Sequence, residues 1–370
     1  MGLTQTKLPY SLPDMPSELG VGVVGIGFSG AAHARAVRLA GARLVGVAAS
    51  TPQRAKEAAA RLNADRAFPS AAALIEDQDV DVVHLCVPND AHAPLAEMAL
   101  AAGKHVVCEK PLALDPASAE GLVAAWQVAG TVATVPFVYR FYPMVRELRA
   151  RIAAGELGRI HLVHGTYLQD WLSREVDTDW RVDRGAGGPS RAFADIGSHW
   201  IDLAEFVLRD RIVLLSARFG TVFPERPNED LALVQFETAG GALGSVVVSQ
   251  VSPGRKNALV VEISGTNGTA RFAQERPGSV WMGRREGTTT LAADPVLLTE
   301  DAARHVVVPP GHPQGYLDCV DRFVADTYAA ITEAEPEGLP TFADGHRAVH
   351  IADTALQSSL SGGCWLEVAP

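Results

Sequence analysis

Three side chains of this 370-residue chain can together manage the proton of an alcohol. The tripeptide Glu109-Lys110-Pro111 closes the apolar run Lys104-His-Val-Val-Cys-Glu109. Proline restrains its predecessor to extended backbone, so Lys110 is held at a strand terminus and out of the helix that follows. An ammonium beside a hydroxyl lowers that hydroxyl's pKa and favours the alkoxide. Asp195 and His199, in Gly187-Gly188-Pro-Ser-Arg-Ala-Phe-Ala-Asp195-Ile-Gly-Ser-His199-Trp-Ile-Asp202, stand four residues apart and so share one helical face. A carboxylate turned toward an imidazole fixes its tautomer and raises its basicity, which makes His199 a general base for a hydroxyl. The plainer readings are a solvated strand-end lysine and a surface salt bridge. Their occurrence together, with Asp195 and His199 set between Gly-Gly and an apolar helix, favours catalysis. Asp202 is assigned no chemistry.

An alcohol held this way needs a redox partner, and the N-terminal third carries a seat for one. Val21 to Ile26 reads as a buried strand, with Gly25, Gly27 and Gly30 at the spacing G-x-G-x-x-G. Phe28 and Ser29 lie between the last two, and an alanine-rich helix runs on to about Leu39. Gly25 permits the turn, Gly27 removes the side chain that would block a pyrophosphate, and Gly30 lets helix and strand approach closely. The phosphates then sit on unpaired N–H groups at the helix start. Glycine makes up 34 of 370 residues, so the pattern carries weight only through its strand, turn and helix context. About 20 residues on, a carboxylate normally binds the adenosine ribose of NAD. From Arg43 to Lys56 there is none: Ala49 takes the position, with Ser50, Thr51 and Arg54 behind it. Hydroxyls plus a guanidinium suit a 2′-phosphate, so NADP is expected over NAD, unless these residues only cap the helix beginning near Pro52.

The elements that must position these groups alternate strand and helix. Ala42–Ala49, Val80–Val87, Lys104–Glu109 and Thr131–Val138 read as strands, with helices over 55–62, 71–76, 91–103 and 112–129 between them. That is an α/β, doubly wound parallel sheet, whose ligands lie beyond the carboxyl ends of its strands, where Pro88, Asn89, Glu109 and Lys110 fall. From Arg159 onward the texture becomes antiparallel, with Pro224–Asp230 and Gly283–Pro310 read as loops and helices expected over 317–333 and 347–360. The division expected is an irregular lead-in over 1–17, a dinucleotide-binding domain over 18–138 and an α+β domain with a large, mostly antiparallel open sheet over 139–370. One face of that sheet takes helices and the other invites a second subunit, so a homodimer or homotetramer is expected.

The segments Gly25-Ile-Gly27-Phe-Ser-Gly30, Cys86-Val-Pro88-Asn89-Asp-Ala-His92 and Gly103-Lys-His-Val-Val-Cys-Glu109-Lys110-Pro111-Leu together resemble the Gfo/Idh/MocA oxidoreductases, the family of glucose–fructose oxidoreductase and inositol dehydrogenase. The resemblance implies that Lys110 touches both nicotinamide ribose and substrate, that Asp195 binds and orients the hydroxyl, and that His199 transfers its proton. It groups Pro88, Asn89, His92 and Glu109 with the cofactor, and sets Tyr139 or Arg140 at the cleft, although Val138 departs from the family's Asn-Tyr-Arg. Gln169 and Arg181 become hydroxyl-binding candidates, while Trp171 and Trp180 read equally as sugar-stacking or as core and subunit-contact aromatics. His312, Gln314 and Tyr316 lie in a turn that the family brings near the substrate. The activity implied is an NAD(P)-dependent dehydrogenase of a sugar or cyclic polyol. The rivals are a non-catalytic NAD(P)-binding sensor and a dihydrodiol- or biliverdin-type reductase on the same fold.

Bulk properties narrow the partners. A net charge of −11 disfavours nucleic acid and anionic membranes. No apolar run reaches the ~18 residues of a membrane span. Cys86, Cys108, Cys319 and Cys364 are scattered, without a zinc or redox pairing, and no histidine cluster suggests a metal. Met1 to Ser17 lacks an apolar signal core, so a cytoplasmic protein is expected.

Overall fold

The structure, a computed structural model, describes residues 19–369, so the lead-in expected over 1–17 lies outside the described residues. The first half alternates β1 (Gly20–Val24), α1 (Phe28–Leu39), β2 (Arg43–Ala48), α2 (Pro52–Leu62), β3 (Arg66–Ala67), α3 (Ala71–Ile75), β4 (Val82–Leu85), α4 (His92–Ala101), β5 (His105–Cys108), α5 (Pro116–Ala129) and β6 (Ala133–Thr134). All six strands are parallel, in the order β3-β2-β1-β4-β5-β6. Short valine-rich runs buried on both faces are what a parallel sheet between helix layers requires. The carboxyl ends of β1, β4 and β5 therefore open side by side, at the switch point beyond which such sheets bind ligands.

The chain then forms α6 (Pro143–Ala153), β7 (Ile160–Leu168), α7 (Arg184–Gly187) and α8 (Ser198–Leu208). It continues through β8 (Ile212–Gly220), β9 (Leu231–Thr238), β10 (Leu243–Ser249), β11 (Ala258–Gly265), β12 (Thr269–Ala273), β13 (Ser279–Arg284) and β14 (Gly287–Ala292). Last come α9 (Glu300–Ala303), α10 (Tyr316–Ile331), α11 (Phe342–Leu360) and β15 (Leu366–Glu367). The nine strands are ordered β14-β13-β12-β11-β7-β10-β9-β8-β15, antiparallel except for the parallel pair β7 and β10. One apolar core runs from Val37 on α1 through Trp200 on α8 to Phe272 on β12. The later helices fold back on the first sheet: Arg35 on α1 pairs with Asp321 on α10 at 2.6 Å.

Three element readings need correction. The strand expected over Thr131–Val138 shrinks to Ala133–Thr134, because Val135 donates its N–H to Pro340 and a short turn of helix begins at Val138. The supposed loop Gly283–Pro310 holds β14 and α9; β14 is exposed along most of its length, so no apolar alternation marks it. Helix α11 starts at Phe342 rather than Arg347, where the Thr341 and Asp344 capping box satisfies its first donors.

Candidate active site

Lys110, just past β5, and Asp195, in the turn leading into α8, are 85 residues apart and meet. Lys110 Nζ lies 2.5 Å from Asp195 Oδ1 and 3.0 Å from the Asp195 carbonyl oxygen. Gln250, just past β10, donates from Nε2 to Asp195 Oδ2 at 2.7 Å, and Arg181 Nε stands 3.5 Å from Oδ1. Burial works against the Asp195 charge, but Lys110 and Arg181 override it and hold the carboxyl well below its usual range.

The expected geometry of Asp195 and His199 differs in one respect. Residues Phe193–Gly197 wind as a π turn leading into α8, so a four-residue spacing no longer stacks the two side chains. The carboxylate bonds Lys110 and Gln250 instead of the imidazole, and His199 Nδ1 is sealed from solvent without a partner among the described residues. The His199 ring packs edge-on to Tyr139 and Phe137, with centroids 5.1 and 5.8 Å away. Burial, reinforced by Lys110, pushes it down to about 3, although Glu109 and Asp195 oppose this. The imidazole is therefore neutral, but burial lowers its basicity and Asp195 does not restore it by direct hydrogen bonding.

A polar ring surrounds the pair. Tyr139 and Tyr167 join hydroxyls at 2.5 Å, and Asn257 Oδ1 accepts from Tyr167 and from Gln169 Nε2, each at 2.8 Å. Gln169 Oε1 accepts the Trp171 indole N–H at 2.8 Å. Tyr316 at the start of α10 packs against Tyr139 and stacks on exposed Phe28, its centroids 6.1 and 6.3 Å from theirs. Arg181 lies over the Trp180 ring at 4.2 Å. Arg140 is turned away into a buried ion pair with Asp202 and Asp344, and Asp202, held up at about 6 by burial, belongs to that pair. His312 is exposed, while Gln314 staples its own loop through Val307 and His305.

The glycine turn fits a dinucleotide. Gly25 has φ +91°, a Cβ on Gly30 would stand 2.0 Å from the Gly25 carbonyl oxygen, and a Cβ on Gly27 would meet nothing within 4 Å. The start of α1 carries no side-chain cap among the described residues, leaving its donors for an anion. Ser50 Oγ accepts from Arg54 Nη1 at 2.9 Å, and Thr51 caps α2. Two members of the cofactor set are differently employed. Asn89 is buried and donates to the Gly187 carbonyl at 3.0 Å, and fully buried His92 has its ring nitrogens 2.7 Å from the Pro111 carbonyl and 3.0 Å from that of Val87. His92 braces the loop after β5 from behind, and Asn89 ties the end of β4 to α7. Pro88 beside them is exposed. Gln250 and Asn257 were invisible in the sequence, since a polar residue past a strand end has no spacing signal. Among the described residues no group of three acidic, histidine or cysteine side chains could hold a metal, all four cysteines are free, and no helix is long and apolar enough to cross a membrane.

Comparison with known proteins converges on the same features. Residues 19–137 match the model of an oxidoreductase family with an NAD-binding Rossmann fold, and residues 145–271 that of the GFO/IDH/MocA C-terminal domain. Levoglucosan dehydrogenase of Pseudarthrobacter phenanthrenivorans is 31% identical over 95% of this chain and 98% of its own. A levoglucosan dehydrogenase solved with NADH and levoglucosan superposes with a TM-score of 0.89 at 30% identity, covering 95% of this chain and 100% of that one. An inositol dehydrogenase homologue from Azotobacter vinelandii, solved with NADH and myo-inositol, gives 0.89 at 27% identity over 95% and 98%. With both family models matched and a relative aligned over nearly its full length, the chain belongs to the GFO/IDH/MocA oxidoreductase family.

Proposed function

We propose that this chain is an NAD(P)-dependent dehydrogenase that oxidises a ring hydroxyl of a sugar or cyclic polyol. The observation that carries the reading is the meeting of Lys110 with Asp195, with the neutral His199 imidazole packed beside them, between an uncapped glycine turn and the end of β10. The substrate hydroxyl takes its place on Lys110, whose ammonium stabilises the developing alkoxide. Asp195, fixed by Gln250 and Arg181, accepts a hydrogen bond from a neighbouring hydroxyl and sets the ring's orientation. His199 takes the proton, and the resulting imidazolium is offset by Glu109 and Asp195. Gln169 and Arg181 bind further hydroxyls, and Tyr139 and Tyr316 wall the cavity and keep water out. The bound nicotinamide supplies the hydride acceptor. Gly25, Gly27 and Gly30, with Phe28 and Ser29, would hold its pyrophosphate, and Pro88 and Glu109 would face its nicotinamide half.

For the adenosine half we favour NADP over NAD, since no carboxylate ends β2 and Ser50, Thr51 and Arg54 gather there. A lower dissociation constant for NAD than for NADP reverses this choice. One face of the nine-stranded sheet exposes Leu162 opposite Leu243 and Leu233 opposite Val247, an apolar patch suited to a second copy of the chain. A cytoplasmic setting fits a reaction drawing on a diffusible nicotinamide pool. Absorbance of reduced nicotinamide, followed across a panel of anhydrosugars, aldoses and inositols with both cofactors, tests the reading. Turnover with at least one polyol is expected, and tight cofactor binding without turnover on any of them favours the sensor instead.

A further inference from the structure

Beneath the site, three buried polar groups that the reaction above does not use lead in a row to Glu109. His33 on α1 places Nδ1 2.8 Å from Nδ1 of His84 on β4, and His84 Nε2 lies 2.9 Å from the Tyr328 hydroxyl on α10. At the other end His33 Nε2 stands 3.6 Å from Glu109 Oε1, while Glu109 Oε2 accepts the backbone N–H of Lys110 at 3.1 Å. His33 is 2% exposed and His84 and Tyr328 not at all, so the row is closed at the tyrosine and cannot conduct protons to solvent. A row with no outlet acts through its fixed charge.

Counting hydrogens leaves two arrangements. Two facing ring nitrogens share one hydrogen. If His33 provides it, His33 is an imidazolium whose second N–H points at Glu109, and His84 is neutral with its hydrogen on the tyrosine side. If His84 provides it, His33 is neutral and the row holds one proton fewer. The first arrangement gives the buried Glu109 carboxylate a counter-charge that Lys110, paired with Asp195, does not fully supply. Burial opposes a charge on His33, while Cys86 and Glu109 raise the imidazole above its usual range; burial also pushes the Cys86 thiol up, so near neutral pH the charge facing His33 is the Glu109 carboxylate. Burial and the His33 charge push His84 well down, and Glu109 is held at about 2 against burial by His33 and Lys110.

We propose that His33 is a positioning residue for catalysis: its imidazolium, pinned by His84 and Tyr328, fixes the Glu109 carboxylate and thereby the strand end from which Lys110 reaches Asp195 and the reacting hydroxyl. The proposal rests on the role given to Lys110 above. It makes the helix that seats the pyrophosphate and the lysine that meets the substrate share one rigid polar base.

Ring-nitrogen chemical shifts of the ¹⁵N-histidine-labelled protein test it. One imidazole is expected to stay doubly protonated between about pH 6 and 8, to vanish from the spectrum of His33→Gln and to become neutral in Glu109→Gln. In His33→Gln, kcat is expected to fall ~10-fold or more with the cofactor dissociation constant within ~3-fold of the parent's. Adding Glu109→Gln to it should bring less further loss than Glu109→Gln brings in the parent, because part of the carboxylate's effect runs through His33. A neutral His33 ring in the parent protein at neutral pH overturns the proposal, as do fully additive losses. The parent spectrum decides even if the variants fold poorly. It also does not depend on substrate identity, so a failure of the dehydrogenase reading leaves a separate signature.

Discussion

Replacing Lys110 with methionine keeps most of the length of the side chain and removes its charge. An alkoxide about 2.8 Å from the ammonium gains roughly 6 kcal/mol at an effective dielectric constant near 20. Because Asp195 shares the same ammonium at 2.5 Å, we take about half of this as the differential effect. That is ~3 kcal/mol, or about 150-fold in kcat/KM. The fold responds separately. Losing one partner of a buried pair costs about 3–5 kcal/mol, and Arg181 at 3.5 Å and Gln250 at 2.7 Å remain to hold Asp195. The lower end applies, and Tm should fall by roughly 5 °C. Adding Asp195→Asn removes the stranded carboxylate, so the double variant should recover most of the lost Tm and none of the lost activity. The assay is kcat/KM for the best polyol beside a thermal melt and a cofactor titration, the dissociation constant staying within ~3-fold of the parent's. A Lys110→Met enzyme within a few-fold of the parent, or a double variant that regains turnover with its stability, refutes the reasoning.

Other outcomes follow from the same geometry. Gly27→Ala should leave Tm unchanged within about 1 °C and weaken cofactor binding ~10-fold or more, since its Cβ meets only the space reserved for phosphate. Gly30→Ala drives a Cβ to 2.0 Å from the Gly25 carbonyl and should lower Tm as well. The His199 ring stays neutral in the fold down to about 3 but takes a proton near pH 6.5 once unfolded. The unfolded state therefore binds more protons between those values, and stability present above 6.5 is lost as pH falls toward 3. At pH 5 the loss from this group is about 2 kcal/mol, so His199→Gln should flatten the acid side of a Tm against pH curve. Arg140→Met strands buried Asp202 and should cost about 3 kcal/mol, while Arg140→Met with Asp202→Leu recovers part of it, as urea unfolding will show.

Legibility in the sequence tracked how local each constraint is. Gly25 and Gly30 are demanded by one turn and one helix contact, and their roles could be read from spacing set between an apolar strand and a helix. Lys110 was legible because Pro111 acts on its neighbour, and both sheets followed from apolar runs and turn residues. Asp195 and His199 stood out by spacing, but the contact expected between them does not form, because the π turn between them shows in the fold and not in the four-residue interval. Gln250, Asn257 and the His33–His84 contact join residues tens of positions apart without any repeat. The hairpin strand Gly287–Ala292 was missed for another reason: an exposed strand buries little and leaves no pattern.

The central claim is that the Lys110 ammonium and the His199 imidazole address one and the same hydroxyl. A crystal structure of the enzyme with its nicotinamide cofactor and a turned-over polyol measures this directly. The account predicts a single substrate oxygen within about 3.2 Å of both Lys110 Nζ and a His199 ring nitrogen, with Asp195 on the adjacent hydroxyl. Lys110 and His199 contacting different hydroxyls, or His199 contacting none, contradicts it.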